Sequence, residues 1–103
     1  MPTLTMPTVR RSVTVPCEHG VHLRVAAKIV ERARPFQSRV WLSGPAVTAD
    51  AKSILGLLNL GAVKGTTLVI TAHGPDAETA AHAIAEFFTD HADPCGSPSA
   101  RPA

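Results

Sequence analysis

The stretch from Ser38 to Ala49 constrains the fold more than any other part of this chain. Ser38–Leu42 (SRVWL) and Ala46–Ala49 (AVTA) both alternate, and Ser43, Gly44 and Pro45 separate them. Alternation with period two marks half-buried strands. A short Gly-Pro break between two such runs suits a hairpin. Two more stretches read as strands: Ser12–Val15 (SVTV), and Thr66–Ala72 (TTLVITA), which is rich in β-branched residues.

Helical periodicity fills the gaps. Ala26, Ile29, Val30 and Ala33 fall at i, i+3, i+4 and i+7, with Lys28, Glu31 and Arg32 on the other side. Arg34-Pro35 ends that helix, because the residue before a proline is disfavoured in the helical region. AKSILGLLNLG, from Ala51, predicts a short second helix closed by Gly61. A third starts at Asp76, a capping residue type, and runs to about Thr89 with Ala77, Ala80, Ala81, Ile84, Phe87 and Phe88 in one stripe. The order β-α-β-β-α-β-α predicts an α+β open-faced sandwich, one sheet with its helices on a single face.

Residues 1–10 hold two prolines without periodicity and are expected to be a flexible N-terminal segment. Residues 11–92 form the expected domain, and 93–103 (DPCGSPSARPA) a flexible tail by composition. With 103 residues and 45% hydrophobic composition, one folded domain is expected. A net charge of +2 and 4% aromatics argue against a nucleic-acid partner. No apolar run is long enough for a membrane span, and the N-terminus lacks a secretory apolar stretch. Cys17 and Cys95 are too few for a disulfide scaffold, so reduced thiols in a cytoplasmic protein are the expectation.

In the second helix Ile54, Leu55, Leu57, Leu58 and Leu60 cover most of the circumference. Burial on both sides is one explanation. An exposed apolar patch for a partner is the other, and it is preferred, because helices on one sheet face leave a short helix poorly covered.

HGVHLRVAA (His19–Ala27) sets ionisable groups at a helix start. His22 falls near the N-cap and Arg24 two residues on. Unsatisfied amides and the helix dipole favour an anion there, phosphate in particular. An imidazole is a competent nucleophile, and a guanidinium beside it can hold a phosphoryl group through a charge-assisted contact. An inconsequential exposed histidine and a metal site built from Cys17, His19 and His22 are the alternatives; no later pair supplies the usual metal-ligand spacing.

Two segments, GVHLRVAAKIV (Gly20–Val30) and AKSILGLLNLGAVKGTTLVITA (Ala51–Ala72), resemble the HPr family, the histidine phosphocarriers of the bacterial phosphotransferase system. They stand in the family's register, and the resemblance runs from about Ser12 to Phe88. It implies a four-stranded antiparallel sheet with three helices on one face. By resemblance His22 is the phosphorylated residue, on Nδ1, and Arg24 its electrostatic partner. Leu23, Ile54, Leu55 and Leu58 match the docking surface for Enzyme I and the IIA domains. Ser53 matches a serine that a dedicated kinase and phosphatase act on in some lineages. Its plainer role is a helix cap.

The resemblance implies a carrier of phosphohistidine rather than a turnover enzyme, acting as a monomer with no cofactor and no metal. Two departures stand out. Val25 replaces the family's proline, which predicts a looser first turn, and His19 replaces a small polar residue. The other reading is a regulatory or interaction module of the same fold, working through Ser53 or by unphosphorylated docking.

Overall fold

The structure, a computed structural model, describes residues 7–18 and 20–89. The elements are β1 (Thr8–Thr14), α1 (Leu23–Ala33), β2 (Arg39–Ser43), β3 (Thr48–Asp50), α2 (Ile54–Asn59), β4 (Thr67–His73) and α3 (Ala77–Thr89). This is the expected order. The strands form one antiparallel sheet in the spatial order β1-β4-β2-β3.

Alternation decides which face each strand buries. Val13, Val40, Leu42, Leu68, Ile70 and Ala72 point towards the helices and are buried. α3 lies over β1, β4 and β2, and α1 packs against α2 and α3. Ile29, Val30 and Ala33 of α1 meet Ala80, Ala81, Ile84 and the two phenylalanines of α3 in the same core. The phenylalanine rings stand edge to face at 5.3 Å, a favourable aromatic geometry.

The sheet begins earlier than the sequence suggested. Thr8, Val9 and Arg10, assigned above to a flexible N-terminal segment, belong to β1 and pair with His73, Ala72 and Thr71. The cause is Arg11, which occupies an inward position and so hides the alternation. Its guanidinium donates to Glu78 of α3 at 2.8 Å, which lets a charged residue sit at the sheet's edge. The tail assigned to 93–103 lies outside the described residues.

Asp76 precedes α3 as expected, and its carbonyl accepts the N–H of Ala80. Its carboxylate, however, turns to the start of β2. It accepts the amides of Gln37 (3.1 Å) and Ser38 (2.9 Å) and the Ser38 hydroxyl, while Ser38 Oγ accepts the Asp76 N–H at 3.1 Å. Ser38 is the one buried polar residue among those described. The Ser38 hydroxyl, with the two backbone amides, holds the Asp76 carboxyl below the usual carboxylate range against the opposing effect of burial.

Candidate functional site

Backbone bonds fix Val15, Gly20 and Val21 ahead of α1. Val15 donates to the Thr66 carbonyl and accepts from Gly65, both at 2.9 Å, so pairing continues past β1. Gly20 N–H then bonds the Cys17 carbonyl at 2.9 Å, and Val21 N–H bonds the Ala62 carbonyl at 3.0 Å. Gly20 has φ of 72°, and a Cβ there would press on the Ala62 carbonyl and lie 3.0 Å from Val63 Cα. Glycine is required for both reasons. The approach brings the loop before α1 against the loop after α2, and so joins the two segments that sequence reasoning had singled out separately.

His22 is the N-cap of α1, with extended backbone (φ −102°, ψ −176°) and no side-chain bond to the helix. Its ring is therefore not engaged in capping. The first bond within α1 runs from Ala26 N–H to the His22 carbonyl at 2.8 Å. The amides ahead of Ala26 have no acceptor inside the helix, which is the arrangement that favours an anion. Arg24 is exposed in that first turn, one helical position from the N1 residue Leu23.

Val25, which replaces the family's proline, is 0% exposed and packs in the core with Ala26 and Ile29. Valine thus contributes a core side chain to the turn, and unlike proline it retains its N–H. The only acid described in the preceding loop, Glu18, pairs with Lys64 at 3.2 Å across exposed surface, a contact worth little on its own.

α1 packs against α2, which carries an apolar patch. Leu55 is 79% exposed and Leu23 62%. Ile54 and Leu58 are half-buried against the core, while Leu57 beneath them is wholly buried. α2 thus has one buried side and one open side. Val63, 62% exposed, extends the apolar surface. Sequence reasoning missed it, since a lone valine in a loop has no periodicity to betray it. Ser53 is the N-cap of α2, its Oγ accepting the Gly56 N–H at 3.0 Å.

The metal reading does not find its ligands. Cys17 is 1% exposed and its sulfur is disulfide-bonded, which corrects the expected free thiol and removes the thiolate that a metal would need. His19 and Cys95 lie outside the described residues. Among the described residues, no three His, Cys, Asp or Glu side chains come together as a metal site.

Comparison with known proteins decides the family. Residues 9–90 match the family described as the PTS HPr component phosphorylation site. The chain belongs to the HPr family. It is 39% identical over 70 residues to the phosphocarrier protein HPr of Vibrio cholerae, a span of 68% of this chain and 82% of that one. Among solved structures it is similar to the phosphocarrier protein HPr of Bacillus anthracis, with TM-score 0.71 and 35% identity over 76% of this chain and 93% of that one. It is similar also to Crh of Bacillus subtilis, described as a dimer with a swapping domain (TM-score 0.65, 33% identity, 80% and 94% coverage). The four-stranded antiparallel sheet and three helices are those of the HPr structures.

Proposed function

We propose that this protein is a phosphocarrier in which His22 accepts a phosphoryl group from Enzyme I and passes it to IIA domains. The observation that carries the reading is the placement of His22: an imidazole at the N-cap of α1, free of any capping bond, beside backbone amides without helical acceptors. In the forward step a ring nitrogen of His22 bonds to phosphorus as the bond from phosphorus to the donor breaks. In the second step the acceptor's nucleophile forms the new bond and the bond to His22 breaks. The group is conserved throughout, so His22 ends as it began and no cofactor is required.

The phosphoryl oxygens gain amide hydrogen bonds and the positive end of the helix dipole. Arg24 adds a charge-assisted contact. Leu23, Ile54, Leu55 and Leu58, with Val63, form the docking surface around the histidine. Such a patch suits brief encounters, because a carrier must leave each partner quickly. The protein acts as a monomer, which size-exclusion chromatography with light scattering checks.

A second reading rests on Ser53. Its hydroxyl accepts from Gly56 and keeps its own proton to give, and the residue adjoins Ile54 and Leu55. A phosphoserine there would set negative charge at the edge of the docking surface and weaken acidic partners. We place the protein in the cytoplasm, which subcellular fractionation checks; the disulfide at Cys17 is unusual for that compartment.

The test is intact mass after incubation with phosphoenolpyruvate and Enzyme I. One acid-labile phosphoryl group on the wild type and none on His22→Ala is expected. Phosphorylation retained in His22→Ala would overturn the assignment.

A further inference from the structure

Among the described residues, the helices cover one face of the sheet and nothing covers the other. Strand register places the outward side chains of that open face in rows. Thr8, His73 and Arg39 form one row, and Arg10, Thr71, Trp41 and Asp50 the next. Trp41 is the chain's single tryptophan, and it is half-buried in the middle of this surface. Arg10, Arg39 and His73 are exposed around it. Among the described residues neither guanidinium has an ion pair or hydrogen bond from its side chain. His73 Nδ1 is bonded to Thr8 Oγ1 at 2.7 Å, which leaves Nε2 outward. The one acid in these rows, Asp50, lies beyond Trp41 and accepts the Lys52 amide at 2.8 Å.

We propose that this open face is a second docking surface, for an acidic segment of a partner protein. It lies across the sheet from α1 and α2, so it operates independently of His22 and does not rest on the phosphocarrier reading. Charge complementarity is the argument: two guanidiniums without a partner among the described residues share this face with an aromatic ring, and no described carboxylate lies between them. Tryptophan and arginine are the residue types that dominate interface energies. Arginine in particular fits carboxylates in bidentate geometry.

Spacing narrows the occupant. Arg10 and Arg39 are two strands and one register step apart, roughly 12 Å between Cα atoms. An extended peptide covers that span between residues i and i+4, with residue i+2 over β4 between Thr71 and His73 and beside Trp41 on the neighbouring strand. A single-stranded nucleic acid fits less well, because it calls for a charged track and successive aromatic platforms, and this face has one aromatic ring.

The single tryptophan reports from the proposed surface, so its fluorescence is the readout. The full chain is titrated with a Glu-Ser-Leu-Ser-Glu peptide, with Gln-Ser-Leu-Ser-Gln, and with an oligothymidylate. Saturable change with the acidic peptide at or below about 1 mM is expected, at least tenfold weaker with the glutamine peptide. The Arg10→Ser/Arg39→Ser variant should weaken binding at least tenfold while leaving the melting temperature and His22 phosphorylation as in the wild type. His22→Ala should bind the acidic peptide as the wild type does. No saturable change, equal binding of the glutamine peptide, or tighter binding of the oligothymidylate would each overturn the proposal.

Discussion

Replacing Gly20 with alanine should damage both the fold and the proposed phosphoryl site, by an amount the local geometry sets. A residue with a Cβ at φ of 72° costs about 1 kcal/mol in the left-handed region. The Cβ also meets the Ala62 carbonyl, so the loop must move off it, and the bond from Val21 N–H to that carbonyl is the casualty. Losing it costs about 1 kcal/mol. The smaller entropy of the unfolded alanine chain returns roughly 0.5 kcal/mol. A net loss of about 1.5 kcal/mol follows, which at a typical urea dependence lowers the unfolding midpoint by roughly 1 M.

Gly65→Ala is the control. Gly65 has φ of 90° but nothing within 4 Å of its would-be Cβ. It should lose only the conformational part, about 0.5–1 kcal/mol. Urea titrations of both variants, paired with the rate of phosphoryl acceptance from Enzyme I, separate strain from collision. Gly20→Ala should be the less stable and the slower, because His22 lies two residues on. Equal stability of the two variants would refute the claim that contact between the two loops holds His22 in place.

Other outcomes follow from the same packing. Ser53→Ala should cost about 1 kcal/mol in thermal or urea denaturation through loss of the α2 cap. Leu57→Ala, at a wholly buried position, should cost about 2–5 kcal/mol. Leu55→Glu, at an exposed one, should stay within about 0.5 kcal/mol yet slow phosphoryl acceptance from Enzyme I. Since folding lowers the Asp76 carboxyl's affinity for a proton, its contribution is full above the ordinary carboxylate range near about 4. Stability should then fall as the pH drops through that range towards the lower folded value, and Asp76→Asn should flatten this dependence in urea titrations against pH.

What the sequence disclosed follows the physics of each segment. α1 and α3 were legible because long amphipathic stripes, such as Ala77 to Phe88, bury one side only. The hairpin was legible because Val40 and Leu42 face the core while Arg39 and Trp41 face out. The start of β1 was hidden by Arg11, whose inward position depends on Glu78, 67 residues away. Asp76 read correctly as the residue opening α3, but its carboxylate serves Ser38, a tertiary contact with no local signal.

The candidate site was legible in part. His22, Arg24 and the α2 leucines carried their own patterns. The meeting of Gly20 with Ala62 and the exposure of Val63 did not, since both depend on two loops that approach only in the folded chain. Val25 shows the limit of a turn-level rule. Judged by first-turn preference it is a loss, whereas in the structure it is a wholly buried member of the core.

The most direct test of the account is phosphoryl transfer to His22 itself. The full chain is incubated with phosphoenolpyruvate and an Enzyme I shown to phosphorylate another carrier, and the site is read by mass spectrometry under neutral conditions that preserve phosphohistidine. The account predicts one acid-labile phosphoryl group on His22, lost in His22→Ala. An unmodified His22 with that active donor, or the group on another residue, would contradict it.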